Sequence, residues 1–154
     1  MTGVSVRISD RRDAAVIAAL RAQWTGGVAD DEFEGHVRAW LAAEGERRLV
    51  FLAFFDDEPA GMASLLEYHR MPRPERLASC WGYVGNMFVR DDLRNRGIGS
   101  ALLAAVVDEA AARGYARLVL SPTERAVPFY ARAGFIDADA RAGSDRVMVR
   151  VLRP

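Results

Sequence analysis

Residues 87–103 combine an apolar stretch, a glycine turn that carries two arginines, and an aliphatic run typical of a helix. The turn reads Arg94-Asn95-Arg96-Gly97-Ile98-Gly99. Backbone N–H groups at the start of a helix, together with the positive end of its dipole, bind anions such as phosphate. Glycine lets the backbone approach the anion, and Arg94 and Arg96 add two positive charges. The segment therefore predicts a phosphate-binding turn.

Two common nucleotide motifs do not match this turn. Gly-Lys-Ser and Gly-Lys-Thr are absent from the chain, so the Walker pattern is excluded. The dinucleotide fingerprint needs a third glycine where Leu102 stands. It also needs an acidic residue about twenty positions further on, where the chain reads Arg117-Leu118-Val119. A plain tight turn is the other alternative, but a strand, two arginines and a helix start coincide here and favour the anion site.

The turn resembles the pyrophosphate loop of the GNAT (Gcn5-related) N-acetyltransferases, whose pattern is Arg/Gln-x-x-Gly-x-Gly/Ala. A second block supports the resemblance. Leu118–Ser121 has the composition of a strand, and residues 126–135 are similar to the family's A-x-x-x-Y-x-x-x-G-F segment, with Tyr130 as the tyrosine. Thr123 stands where the family often has Asn, so no coenzyme contact is assigned to it. The resemblance extends over residues 1–154 as one domain and is strongest over 84–135.

This resemblance implies an α/β architecture, the GNAT fold. Its central mixed, mostly antiparallel sheet has six to seven strands, is flanked by about four helices and is splayed between the fourth and fifth strands. It also implies transfer of an acetyl group from acetyl-CoA to a primary amine of a small-molecule acceptor by direct attack. The residues implied to contact the coenzyme are Met87, Phe88, Val89, Arg94, Asn95, Arg96, Gly97, Ile98, Gly99, Ser100 and Tyr130.

The resemblance also implies catalytic roles. Tyr130 matches the tyrosine proposed as general acid beside the coenzyme sulfur, although an ordinary half-buried helix tyrosine would read the same way. The backbone N–H of Met87 would polarise the thioester carbonyl. Many relatives carry a glutamate where Asn86 stands, and asparagine can orient a water or an acceptor but cannot accept a proton. Glu67 on the neighbouring strand is the expected base, with an exposed strand-end carboxylate and proton loss through water as alternatives.

Composition narrows the choice of ligand. The net charge is zero and the arginines are spread along the chain, so a nucleic-acid partner is not expected. His36, His69 and the single cysteine, Cys80, are too few for a metal site, and Cys80 excludes an internal disulfide. The longest apolar runs fall short of the roughly twenty residues that span a bilayer. We expect a cytoplasmic protein without a membrane partner, and a homodimer is compatible with the sequence.

Hydrophobic periodicity places the remaining elements. Alternation predicts strands over Val4–Ile8, Leu49–Phe55, Gly61–Tyr68, Trp81–Val89 and Arg146–Leu152. Helical spacing predicts a first helix capped by Asp13, a second beginning at Asp30 or Asp31, and a third over about 97–113. Residues 69–76 contain two prolines and form a loop, either an acceptor-facing flap or a solvated connector.

Aromatic residues bear on the acceptor. Trp24, Phe33 and Trp40 read first as core residues, but together with Tyr68 they also lie near a candidate pocket, which favours a small-molecule amine. Two alternatives remain open. One is a protein acetyltransferase acting on N-termini or lysines. The other is a non-catalytic acyl-CoA-binding sensor, favoured by the missing glutamate.

Overall fold

The computed structural model describes residues 3–138 and 146–153, which form a seven-stranded sheet and four α-helices. In chain order the elements are β1 (Val4–Ile8), α1 (Ala14–Thr25), α2 (Asp31–Glu44), β2 (Arg48–Phe55), β3 (Glu58–His69), β4 (Cys80–Val89), α3 (Ile98–Ala112), β5 (Arg117–Leu120), α4 (Val127–Arg132), β6 (Ile136–Asp137) and β7 (Met148–Val151). The predicted α/β fold is confirmed.

The sheet has the strand order β1-β2-β3-β4-β5-β7-β6 and separates two layers of helices. Neighbouring strands are antiparallel except β4 and β5, which are parallel. Alternate residues of β2 divide between the layers: Val50 and Leu52 pack with α1, whereas Phe51 and Ala53 pack with α3. We call these sides the α1–α2 face and the α3–α4 face, and each has its own apolar core.

Aspartate side chains form hydrogen bonds near the starts of α1 and α2, but only α2 has the predicted cap. The Asp30 carboxylate accepts from the Phe33 backbone N–H at 2.9 Å and caps α2, as expected. The prediction that Asp13 caps α1 is wrong, because its carboxylate makes no cap bond to that helix. It accepts instead from the Arg7 guanidinium at 2.7 and 2.8 Å and from the Asp10 backbone N–H at 2.8 Å. Asp13 therefore ties β1 to the start of α1.

The turn sequence of residues 56–60 predicts a hairpin between β2 and β3, and two aspartates form its turn in the structure. Asp56 and Asp57 both have positive φ, 49° and 69°, the signature of a tight turn that follows the twist of the strands. Short polar side chains tolerate this region better than most. Strand β3 begins at Glu58, immediately after the turn, and runs three residues further at its start than the sequence predicted.

Strand β4 contains a bulge at Asn86. Ser64 of β3 pairs with Gly85, and Met62 pairs with Phe88, so β4 has one residue more than β3 over this stretch. Asn86 takes a left-handed φ of 51°. The extra residue reverses the alternation: Val84 belongs to the α3–α4 core, whereas Phe88 belongs to the α1–α2 core. The bulge thereby turns the Asn86 side chain toward the α1–α2 face.

The sheet opens between β4 and β5 beyond Tyr83, ahead of the bulge, as the expected splay requires. Strands β4 and β5 pair only at Gly82 with Leu118 and at Tyr83 with Val119. The rest of β4, from Val84 to Val89, does not pair with β5. An opening therefore separates the two strands here. Strand β4 is only partly covered, although its apolar residues on both faces predict a central strand covered on both sides.

The C-terminal region matches the prediction in part. Strand β7 lies within the range predicted for a closing strand, 146–152, but the two-residue strand β6 was not predicted because it is too short to show periodicity. A turn expected over 138–143 lies almost entirely outside the described residues. Within the described ranges, no helix has the length and apolar character needed to cross a bilayer.

The Arg7–Asp13 pair gives a testable stability difference. The Arg7 hydrogen bond holds the pKa of the Asp13 carboxyl, whose side chain is 9% exposed, below its ordinary value. We expect Asp13→Asn to lower the free energy of unfolding by about 2 kcal/mol at pH 7. A lowered carboxyl pKa stabilises the fold above its unfolded value, and the gain is lost as pH falls through the folded pKa. The difference from wild type should therefore shrink below about pH 4.

Urea unfolding at pH 7 and pH 3 measures this difference. Asp92→Asn is the control, since the Asp92 side chain is 63% exposed and pairs with Arg90 at the surface. We expect it to cost less than about 0.5 kcal/mol. Equal losses in the two variants would contradict a special role for Asp13.

Candidate active site

A cavity of about 380 Å³ lies between helices α1 and α2 and the sheet, a size that suits a small ligand. We call it the α1–α2 cavity. It is lined by Ile17, Arg21, Phe33, His36, Val37, Trp40, Val50, Met62, Ser64 and Asn86. Most of its walls are apolar or aromatic, and its polar groups come from one residue on each of β3 and β4 and two on the helices.

The aromatic residues named from the sequence separate into two groups. Phe33 and Trp40 line the cavity, although their spacing in the sequence first indicated core residues. Trp24 stacks on Phe88 with ring centres 5.5 Å apart, and the Arg21 guanidinium lies over the Trp24 ring, 4.5 Å from its centre. Tyr68 stacks on Trp81 at 4.5 Å and is not among the lining residues.

Asn86 reaches the cavity because of the bulge. The Ser64 hydroxyl, in a residue that is 1% exposed, donates to the Asn86 side-chain oxygen at 2.8 Å. With its oxygen engaged, the Asn86 amide group has N–H donors left for a ligand or a water. The structure thus places the Asn86 amide against the cavity, where it can hydrogen-bond a ligand.

Glu67 lies on the opposite side of the sheet from Asn86. Its carboxylate accepts from the Tyr115 hydroxyl at 2.6 Å and is 2.7 Å from His69 Nε2. Tyr115 is buried in the α3–α4 core. The Tyr115 hydrogen bond lowers the pKa of Glu67, which weakens it as a base. The structure therefore does not bring Glu67 together with the cavity residues.

Tyr130 lies on the α3–α4 face and is 7% exposed. Its ring packs edge-on against Phe129 and Phe135, with centres 5.0 and 5.8 Å away. Burial raises the pKa of the Tyr130 hydroxyl, and the Tyr83 hydroxyl adds to the rise. Tyr83 is the last β4 residue paired with β5. Tyr130 therefore keeps its proton at neutral pH, and its hydroxyl interacts electrostatically with a residue at the end of the β4–β5 pairing.

The predicted phosphate-binding turn leads into α3 with an open N-terminus. Asn95 and Gly97 have positive φ, 64° and 79°, on either side of Arg96. Alternating backbone handedness of this kind turns successive N–H groups toward one point. Gly97 is the N-cap of α3 and supplies no side-chain cap bond, and a Cβ placed there would meet nothing within 4 Å. The first N–H groups of α3 thus face open space at Gly97.

The two arginines and the second glycine of the turn make contacts within the protein that the sequence did not predict. Arg94 forms an ion pair with Asp91 at 2.8 Å, and the Arg96 guanidinium lies 5.0 Å from the centre of the Phe55 ring. A Cβ on Gly99 would meet the Phe129 ring at 3.4 Å. Gly99 therefore lies in contact distance of α4, and of the two glycines in the turn only Gly97 has the open approach expected at an anion site.

Two other sequence expectations concern the surroundings of the site, the loop after β3 and a metal site. Loop residues Arg70, Met71, Arg73, Arg76 and Ser79 surround a separate cleft and share no residue with the α1–α2 cavity. The loop is therefore not a flap over that cavity. Among the described residues, no group of three His, Cys, Asp or Glu side chains is arranged to hold a metal ion.

Sequence reasoning missed three polar lining residues: Arg21, His36 and Ser64. Helical spacing was a usable signal for two of them, because Ile17 and Arg21, like His36 and Trp40, are four residues apart and share a helix side. Ser64 gave no signal, because its partner Asn86 faces it only through a bulge that composition does not reveal.

The profile of the acetyltransferase (GNAT) family matches residues 14–135. The match begins with α1 and ends at Phe135, so it includes both helices of the cavity, the opening in the sheet and the phosphate-binding turn. The chain belongs to the GNAT family of N-acetyltransferases.

Known relatives agree with this assignment. Over 108 residues the chain is 30% identical to glucosamine 6-phosphate N-acetyltransferase 1 of Oryza sativa subsp. japonica, an alignment covering 67% of this chain and 62% of that protein. It therefore spans less than two thirds of the relative's length. A crystal structure of a GCN5-related N-acetyltransferase from Ralstonia eutropha JMP134 has a TM-score of 0.69 and 26% identity, covering 92% of this chain and 98% of that one.

A crystal structure of an acetyltransferase with acetyl-CoA from Clostridium acetobutylicum has a TM-score of 0.72 and 18% identity. The comparison covers 92% of this chain and 96% of that one. At this identity the likeness concerns the fold, which both chains share over nearly their whole lengths.

The left-handed conformation of Asn86 gives a test of the bulge. Alanine in this conformation costs roughly 1 kcal/mol more than glycine, because its Cβ crowds the following carbonyl. We expect Asn86→Gly to be more stable than Asn86→Ala by about 1 kcal/mol in urea unfolding, the reverse of the usual order in a strand. The same pair at Met87, which is not among the positive-φ residues, should show the usual order. Alanine as the more stable variant at both positions would argue against the bulge.

Proposed function

We propose that this chain transfers an acetyl group from acetyl-CoA to the primary amine of a small molecule bound in the α1–α2 cavity. The opening between β4 and β5 carries the proposal. On the α1–α2 face it is bordered by Asn86 and the cavity, and on the α3–α4 face by Tyr130 and the phosphate-binding turn. A donor threaded through the opening would meet an acceptor from the other side of the sheet.

The residues present fit acetyl-CoA. The open N–H groups at Gly97 suit the pyrophosphate, with Arg96 close by. Strand β4 from Met87 to Val89 lies between the turn and Asn86, so its main chain can hydrogen-bond the amide groups of the pantetheine arm. These contacts together lead the thioester toward the bulge. Arg94 would first have to exchange its ion pair with Asp91 for the phosphate, which is an easy change at the surface.

When bound, acetyl-CoA supplies the activated acyl group, and the chain's own residues complete the transfer. The Met87 backbone N–H donates to the carbonyl oxygen as the amine forms the new C–N bond. The Tyr130 hydroxyl donates its proton to the sulfur as the C–S bond breaks. The acceptor nitrogen loses its proton to water in the cavity, and solvent returns a proton to Tyr130. Asn86 orients the amine and does not take the proton.

The base assigned to Glu67 from the sequence does not fit this arrangement. Its position across the sheet and its bonds to Tyr115 and His69 support a structural role, joining β3 to the segment after α3. We therefore favour proton loss through water, the alternative that the sequence left open. A cavity that communicates with solvent provides the path.

The dimensions of the cavity favour a small acceptor over a protein. A volume of about 380 Å³ holds one small molecule, and its walls on α1 and α2 would obstruct an extended peptide chain. The rice relative is named for an amine of this size, glucosamine 6-phosphate. A non-catalytic sensor is the second candidate, because no described carboxylate lines the cavity as a base.

Thiol release separates these candidates. Purified protein is incubated with acetyl-CoA and, in turn, a panel of small primary amines and a panel of peptides with free N-termini or lysines. The proposal expects amine-dependent release of coenzyme A with the small amines. Release only with peptides would assign a protein acetyltransferase, and binding of acetyl-CoA without release by either panel would assign a sensor.

The phosphate-binding turn can be tested by charge alone. Aspartate and asparagine have nearly the same shape and both tolerate positive φ, so Gly97→Asn and Gly97→Asp differ mainly in charge. Coenzyme A at a hundred times its dissociation constant should stabilise wild type by about 2.7 kcal/mol. We expect Gly97→Asn to keep most of the thermal shift and Gly97→Asp to bind on the order of tenfold more weakly or worse. A shift produced by NAD or ATP but not by acetyl-CoA would assign the turn to another ligand.

The role of Tyr130 is tested by removing its oxygen. We expect Tyr130→Phe to reduce turnover on the order of ten- to a thousandfold, with the affinity for acetyl-CoA nearly unchanged, since the ring packing remains. Because burial raises the pKa of Tyr130 above its ordinary value, wild type should not lose activity through Tyr130 ionisation below about pH 10. Tyr68→Phe, on an exposed ring stacked against Trp81, is the control. Full activity in Tyr130→Phe would leave this tyrosine a packing role only.

A further inference from the structure

We propose that the acceptor is an amine with an apolar body and an anionic group, a carboxylate or phosphate, and that Arg21 binds this group. The inference rests on the proposed function, because it takes the α1–α2 cavity as the acceptor site. It goes further by naming the chemical class of the acceptor and the residue that selects it.

The first argument for an anionic group comes from the charges of the residues that line the cavity. Among its described lining residues, Arg21 is the one permanent cation, His36 is a second group able to donate, and there is no carboxylate. A half-buried guanidinium facing mostly apolar walls is stabilised by an anion, whereas a purely cationic amine would be repelled. Charge complementarity therefore favours an acceptor that carries its own negative group.

The second step is that Arg21 is held in place without a carboxylate partner. Within residues 3–138 and 146–153 it forms no ion pair, unlike Arg7 with Asp13 or Arg48 with Glu44 at 2.6 Å. Its guanidinium lies instead on the Trp24 ring, and Trp24 stacks on Phe88 of β4. Stacking on the ring leaves the edge of the guanidinium, with its N–H groups, available for a bidentate bond to an acid.

The walls define the rest of the acceptor. Phe33, Val37, Trp40 and Met62 present apolar surface to the ligand. A polyhydroxylated amine would leave hydroxyl groups facing these side chains without hydrogen-bond partners, which weakens its binding. An aromatic or aliphatic body gains from the same contacts. The cavity thus favours an amphiphilic amine acid over an amino sugar.

The positions of β4 and α1 determine how the acceptor would lie in the cavity. Asn86 belongs to β4 beside the opening in the sheet, and Arg21 belongs to α1. The amine must face β4 to meet the thioester, so the acid group lies toward α1. The amine and the acid are therefore at separate ends of the molecule.

Matched acceptors test the inference. Phenethylamine and 4-(2-aminoethyl)benzoate share the amine and the ring and differ in one remote carboxylate, and tyramine with tyramine phosphate forms the phosphate pair. We expect kcat/KM to be higher for the acid of at least one pair by about tenfold, the gain from one charge-assisted contact. Whichever pair shows the larger ratio identifies the carboxylate or the phosphate as the preferred acid.

Variants then assign the preference to Arg21. Arg21→Gln should bring the ratio between acid and neutral amine close to one, and Arg21→Lys should retain part of it. Arg38→Gln is the control, because Arg38 lies on α2, pairs with Glu34 and does not line the cavity. It should leave the ratio unchanged. A wild-type ratio near one for both pairs, or a high ratio that survives in Arg21→Gln, would overturn the inference while leaving acetyl transfer to amines intact.

A binding measurement keeps the test independent of turnover. The acid 3-phenylpropionate has the apolar body and the anion but no amine, and its binding can be followed by fluorescence of Trp24 and Trp40. We expect Arg21→Gln to weaken its binding about tenfold. Equal binding of 3-phenylpropionate by wild type and Arg21→Gln would refute the anion site, whether or not any amine is acetylated. Weaker binding by Arg21→Gln together with no acetylation of any amine would refute the proposed function alone.

Discussion

The short pairing between β4 and β5 is the constraint on which the rest of the structure depends. Two residue pairs hold these parallel strands together, and beyond Tyr83 they diverge. Backbone N–H and C=O groups on the inner edge of β4 must then find partners other than β5. A ligand with its own amide groups satisfies them best. The opening also joins two helical layers that a continuous sheet would keep apart, so residues from both faces can act on one bond.

The bulge at Asn86 adapts β4 to this opening. Without the extra residue, Asn86 would share the side of Val84 and point into the α3–α4 core. With it, Asn86 meets Ser64 on the α1–α2 face, while Met87 and Val89 pack on the other. The strain of a left-handed asparagine is of order 1 kcal/mol, and the hydrogen bond from a buried serine offsets part of it. One inserted residue thus determines which groups of β4 face the α1–α2 cavity.

The sequence predicted the features that local patterns encode. The strands β1 to β4, the helices α1 to α3 and the turn at 94–100 follow from periodicity, caps and glycine positions. Features that depend on distant partners were not predictable. Glu67 looked like a base because it lies on the strand next to Asn86, but alternation along β3 places it across the sheet, beside Tyr115. Arg21 was not singled out from the sequence, because the Trp24 ring on which its guanidinium lies is stacked on Phe88 of the distant strand β4.

The contact between Gly99 and Phe129 joins the two sequence blocks by which the family is recognised. One block supplies the glycine and the other the aromatic ring, and a methyl group at residue 99 would touch that ring at 3.4 Å. Alanine therefore just fits at residue 99, whereas a larger side chain would push α4 away from the start of α3. In this chain the second glycine of the motif lies at a helix contact as well as in the turn, so a substitution there changes the position of α4 along with the turn.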